Sequence, residues 1–116
     1  MNRNFRLTNS TDFMRVRRFG KSYAHPLVLL VVLQVPDEKT QIGVVASRSV
    51  GNAVQRNRAK RMLREAARTL LYLIKPGWKI ILISRRPILK AELSEIQDTL
   101  SKLFYKANLI SNNDVS

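Results

Sequence analysis

The chain has no cysteine and only one histidine, His25, among its 116 residues. Without thiols it has no disulfide framework, no Cys-based zinc site and no thiol nucleophile, and without a second histidine a Ser-His or Cys-His relay has no spare base. This usage fits a reducing compartment, and a cytoplasmic protein is expected. Acid is scarce: 8 Asp+Glu stand against 21 Lys+Arg, a formal net charge of +13. Long apolar runs are absent as well. The longest, Leu27 to Leu33, falls far short of the roughly 20 residues that span a bilayer, and no apolar stretch follows Arg3 and Arg6 as an export signal would require.

Hydrophobic residues nevertheless make up 45% of the chain, enough apolar side chain to offset chain entropy through a core. The length suits one domain, expected over residues 1–110, followed by a short polar tail at 111–116 read as unstructured. The positive charge is concentrated. Residues 1–21 hold six basic groups and one acid, residues 48–68 hold seven and one, and the two stretches supply +11 of the net +13. A general solubility charge would be spread evenly, so these are read as two binding surfaces for a polyanion, nucleic acid ahead of lipid.

Local patterning sets out the order α, β, β, α, β, α. Asn9 or Ser10 caps a short helix to about Phe19, and Gly20 ends it. Leu27–Val35 between two prolines reads as a strand buried on both faces, and Gln41–Ser47 as its hairpin partner. Asn52 with Gln55 three residues on forms a capping pair for a helix running to about Ile74. Lys79–Ser84 is a third strand, parallel to the second across the helix, with a right-handed crossover as the default. Ala91–Lys106 carries apolar residues at helical spacing. The implied fold is an α+β two-layer sandwich: a small mixed sheet with helices packed on it.

The second helix carries the chemistry. On a wheel at about 100° per residue, Arg56, Lys60, Arg64, Asn57, Arg68 and Arg61 fall within one arc, with Ala59, Met62, Leu63, Ala66 and Leu70 roughly opposite. Guanidinium forks fit phosphate oxygens two at a time, and an asparagine amide can both donate to and accept from a base edge or a 2′-hydroxyl. Like charges stacked four residues apart each cost a few tenths of a kcal/mol, which favours a use over a merely solvated face.

Residues Val50 to Arg64, VGNAVQRNRAKRMLR, resemble the signature of the bacterial ribonuclease P protein family, an Arg-Asn-Arg core followed by Lys-Arg. Asp12-Phe13 with Val16 and Gly20, the strand GVVASR from Gly43 to Arg48, and IILISRRP from Ile80 to Pro87 fit the same family pattern. The resemblance implies a non-catalytic protein subunit of an endoribonuclease. The hydrolysis is carried out by a catalytic RNA with Mg2+ held mainly by that RNA, and it removes the 5′ leader of precursor tRNA. It also implies a left-handed βαβ crossover in place of the default. Arg56, Asn57, Arg58, Lys60, Arg61 and Arg64 inherit contact with the catalytic RNA, with Arg48, Asn52 and Arg68 beside them. The leader falls to Phe13, Arg17, Lys21 and Leu30.

Single strands are held by basic grooves with planar groups on which bases stack. Phe13, Val16 and Arg17 share one side of the first helix, where Phe13 and Val16 read equally well as core. Arg17 and Leu30 occupy positions that are often aromatic in the family, although a guanidinium plane also stacks. His25 reads as a loop residue, Trp78 as packing at the core's edge, Glu92 and Glu95 as solvated charge, and Asp12 as a helix-dipole partner. No protein metal site is expected. A ribosomal or other structural RNA-binding protein would share the charge, whereas a membrane-surface binder would need the apolar arc that the core requires.

Overall fold

The computed structural model describes residues 5–111. Seven principal elements follow in chain order: α1 (Ser10–Phe19), β1 (Lys21–Ala24), β2 (Val28–Gln34), β3 (Gln41–Ala46), α2 (Ala53–Arg68), β4 (Trp78–Ser84) and α3 (Leu93–Lys106). The four strands form one mixed sheet in the order β1-β2-β4-β3. β2 is antiparallel to both of its neighbours, and β3 is parallel to β4 as expected.

The hairpin expected between β2 and β3 does not form, because β4 lies between them. β4 (WKIILIS) is buried along nearly its whole length, and a strand that apolar gains more with a neighbour on each side than at an edge. Residues 35–40 supply the reach: strands lie about 4.8 Å apart, so stepping over one strand needs about 10 Å, well within six extended residues. β1 is the other surprise. Its KSYA sequence is mostly exposed, and only the ladder from Lys21↔Val32 to Ala24↔Leu29 makes it a strand.

Alternation along the strands divides the core in two. Val28, Leu30 and Val32 of β2, Ile42 and Val44 of β3, and Ile80 and Leu82 of β4 turn to one face. There they meet Ala59, Leu63 and Ala66 of α2 and Ile96, Leu100 and Phe104 of α3. Val31 and Ile81 turn to the other face, where Leu7 and Val16 cover them, with Phe13, Leu29, Leu33, Val45 and Ile83 partly buried around them. Besides the main layer pair of sheet and two helices, α1 thus lies alone on the second face and leaves part of it open.

Asn9 caps α1, its Oδ1 accepting from the Thr11 and Asp12 amides at 2.9 and 3.4 Å. Gly20 ends α1 as expected, yet with φ −77°, outside the left-handed region. Glycine is needed there for space: a Cβ would sit 2.5 Å from the Val16 carbonyl oxygen and 2.8 Å from that of Val32. The capping box of α2 is present, Asn52 and Gln55 exchanging amide-to-side-chain bonds at 2.9 Å each. α2 stops at Arg68 rather than near Ile74, and a 3-10 turn at Leu71–Leu73 follows. That tighter turn keeps Leu70 and Leu71 both buried. Of the expected tail, residues 112–116 lie outside the described residues.

Candidate nucleic-acid interface

α2 buries Ala59, Leu63, Ala66 and Ala67, so its cationic arc is turned away from the core, as the wheel requires. Arg56, Lys60 and Arg64 are half-buried and lean toward the free edge of β3, while Arg58, Arg61 and Arg68 are exposed. A cleft of about 370 Å³ lies between β3 and α2, lined by Val44–Ala46, Ala53, Arg56, Asn57 and Lys60. A second, of about 260 Å³, continues along the same edge between Arg64 and the Arg6–Thr8 segment. The Arg-Asn-Arg tripeptide is therefore split. Arg56 and Asn57 face the β3 edge, while Arg58 lines a groove of about 520 Å³ with Gln55, Arg86 and Lys90.

Compensation of this charge is sparse. Among the described residues, Arg56, Arg58, Lys60, Arg61 and Arg64 form no ion pair, and the one acid on α2, Glu65, holds Arg68 at 3.0 Å. Arg68, expected among the RNA contacts, is thus partly neutralised within its own helix. Asn52 has its carbonyl oxygen committed to the helix cap, and Arg48 is exposed on the 3-10 turn just before α2. Arg64 Nε is buried with no hydrogen-bond partner among the described residues.

The residues expected at the leader do not all come together. Leu30 is fully buried under α2 and α3, so it has no surface to offer. Lys21 pairs with Val32 across β1 and β2. Directly opposed residues share a face, which puts Lys21 on the side away from α1, with its ammonium 5.5 Å from the Tyr23 ring centre. The Leu30 expectation misses because a one-residue change of parity moves a side chain to the other face of a strand. Phe13 is half-buried on β3, its Cε2 at 3.4 Å from where a Cβ of Gly43 would stand, so the core role holds for one side of its ring. Its other side and Arg17 border the outer surface of α1.

Arg17 does overlook a groove. It opens beside α1 on the thinly covered face of the sheet, holds about 570 Å³, and is lined by Arg17, Leu29, Ile83, Arg85, Arg86 and Pro87 among others. Leu29, not Leu30, is the β2 residue turned to it. Sequence reasoning missed Arg85 and Arg86; the signal available was a pair of arginines directly after a buried strand.

α1 is held over the sheet by charge. Arg15 Nη2 donates to the Glu38 carboxylate at 3.3 and 3.4 Å and lies 3.6 Å from Asp12. Glu38 is 3.7 Å from Nζ of Lys79, a buried lysine that donates to the Lys39 carbonyl at 2.6 Å and to Gln41 Oε1 at 2.9 Å. Arg15 is accordingly a structural residue and not a free cation. His25 Nδ1 accepts from the Leu27 amide at 3.1 Å, a loop contact, and Trp78 packs at the core's edge. Among the described residues, no group of three or more His, Cys, Asp or Glu comes together. No helix among the described residues is long and apolar enough to cross a membrane.

Comparison with known proteins places these surfaces in context. The family model described as Ribonuclease P matches residues 1–108. A "Ribonuclease P protein component" of Herpetosiphon aurantiacus is 40% identical over 109 residues, covering 94% of this chain and 89% of that protein. One from Chloroflexus aurantiacus is 37% identical over 111 residues, covering 95% and 82%. Among solved structures, the RNase P protein of Staphylococcus aureus superposes with a TM-score of 0.78 at 27% identity, over 92% of this chain and 98% of that one. That of Thermotoga maritima gives 0.74 at 25% identity, over 87% and 96%. The ribosomal-protein alternative finds no support in these comparisons.

Proposed function

Since this chain belongs to the ribonuclease P protein family, it is the protein component of the ribonucleoprotein that processes tRNA 5′ ends, and we propose that its two basic surfaces serve two different RNAs. The partner of the chain is the ribonuclease P RNA. The arc of α2, with Arg56, Asn57, Lys60, Arg61 and Arg64 at its centre and Arg48 and Arg58 at its flanks, is assigned to that RNA. The groove beside α1, with Arg17, Leu29, Arg85 and Arg86, is assigned to the single-stranded leader of precursor tRNA, in the cytoplasm. Residues 1–110 act as one RNA-binding domain.

The observation that carries this division is the position of α1 alone on one face of the sheet and α2 with α3 on the other. The two RNAs are thus assigned to different sides of the sheet, with Arg86 bordering both the groove at Arg58 and the groove beside α1. Arg85 and Arg86 supply the groove with cations, Leu29 and Ile83 give it an apolar floor, and Arg17 offers a plane for base stacking. The family's hydrolysis is carried by its RNA, so the Mg2+ ions that serve it are assigned to the catalytic RNA, and no chemical step is assigned to the protein.

The test compares substrates with and without a leader. With holoenzyme reconstituted from the ribonuclease P RNA, Arg17→Ala and Arg85→Ala should weaken binding of precursor tRNA while leaving mature tRNA unchanged. Equal losses for both would remove the leader from this groove.

A further inference from the structure

The free edge of β3 is covered over only part of its length. The Leu7 amide donates to the Ile42 carbonyl at 2.9 Å, and Arg6 bridges the same residue, after which the chain leaves for α1. Backbone groups of alternate residues in a strand point to the same side. Ile42 turns outward, and the Ser47 amide bonds to Ser84 on the β4 side, so Val44 and Ala46 also turn their N–H and C=O groups outward. Among the described residues, no loop or neighbouring segment donates to or accepts from either of them on that side.

The first turns of α2 face this open stretch. Ala53 presents only a methyl group there, which leaves the cleft of about 370 Å³ between strand edge and helix. Its walls offer three kinds of group: outward backbone donors and acceptors, the Asn57 amide, and two cations, Arg56 and Lys60, with no ion pair among the described residues. That combination fits a planar group bearing adjacent donors and acceptors with anions attached on either side.

We infer that the cleft receives one unpaired nucleotide of the ribonuclease P RNA, its base edge on the backbone of Val44 and Ala46 and on Asn57, its flanking phosphates on Arg56 and Lys60. The inference rests on the assignment of α2 to that RNA. A paired base has no Watson–Crick edge to give, so the nucleotide must be unpaired, as in most sequence-specific RNA recognition. A peptide strand could also add to the edge, but a neutral backbone would leave Arg56 and Lys60 without counter-charge, whereas an RNA strand supplies it.

Ala53→Leu fills the cleft and leaves the charge unchanged, and since Ala53 is exposed in the first turn of α2, the fold should tolerate it; thermal unfolding of the free protein checks this. Binding of Ala53→Leu to the ribonuclease P RNA should be about tenfold weaker, the scale of one lost base contact, with the salt dependence unchanged because no phosphate contact is removed. One base that wild-type protein shields from dimethyl sulfate at its Watson–Crick edge should become reactive again with Ala53→Leu, while Ala53→Ser keeps it shielded. Wild-type affinity for Ala53→Leu, or no base shielded by the wild type, overturns the inference and leaves the edge open to a peptide strand. If Lys60→Ala also leaves affinity and salt dependence untouched, the assignment of α2 itself fails. If Lys60→Ala weakens binding and Ala53→Leu does not, only the nucleotide cleft is refuted.

Discussion

Replacing Arg56, Lys60 and Arg64 together by glutamine removes three cations from α2 and keeps a flexible polar side chain at each position along the β3 edge. Each phosphate neutralised by a protein cation contributes about 0.7 to the salt slope on a single strand and about 0.9 on a duplex. Three such contacts make the slope shallower by about 2 to 3. Between about 50 and about 200 mM salt, the wild type should therefore lose roughly 20- to 40-fold more affinity for the ribonuclease P RNA than the variant does. Stability should move the other way. The positions 56/60, 60/64 and 64/68 are like-charged neighbours, each costing about 0.2–0.5 kcal/mol, so the variant should be about 0.6–1.5 kcal/mol more stable by urea denaturation. Weaker binding by a more stable protein cannot be put down to unfolding. Fluorescence anisotropy against salt, beside urea denaturation, reads both quantities. Arg68→Gln is the internal control: Glu65 already holds Arg68 at 3.0 Å, so its slope should change by well under one. A role for these half-buried, unpaired cations in phosphate contact would be refuted by a triple variant that binds less tightly at every salt with an unaltered slope, or by one that behaves like Arg68→Gln.

Two further outcomes follow from the parity of β2 and the crowding at the end of α1. Leu30→Ala should cost about 2–5 kcal/mol of stability, as for a fully buried leucine, whereas Leu29→Ser should leave the fold largely intact and reduce the preference for leader-bearing tRNA; the reverse pattern in denaturation and substrate titrations would put the groove on the other face. Gly20→Ala should cost about 1–3 kcal/mol by overpacking, because the new methyl meets the Val16 and Val32 carbonyls, and a stability equal to wild type in urea would show that the backbone there gives way freely.

Much of the fold is legible along the chain because it depends on neighbours in sequence. The caps at Asn9 and Asn52 and the division of α2 into an apolar and a cationic arc come from periods and side-chain reach within one element. So does the concentration of charge in two stretches. The pairing of strands does not. KSYA carries no strand pattern, and β1 exists only because β2 offers it a ladder. The hairpin between β2 and β3 is the natural reading of two strands joined by a short loop, yet β4, arriving some thirty residues later, takes the place between them.

The residues expected at the leader mark the same boundary. Helix periodicity puts Phe13 and Arg17 on one side of α1, while for Leu30 alternation reveals that neighbours face opposite ways without saying which way is which. Only the placement of α1 decides which face of β2 stays open, and with it that Leu29, Arg85 and Arg86 border the groove. By itself, the sequence determined that this is a basic α+β protein with an Arg-Asn-Arg helix that is cationic on one face and apolar on the other, because net charge and helical period are properties of the chain alone. The tertiary structure decided where the cations stand, since whether Arg56 leans on a strand edge, Arg68 is held by Glu65 or Lys79 is buried beside Glu38 depends on which segments the fold brings together.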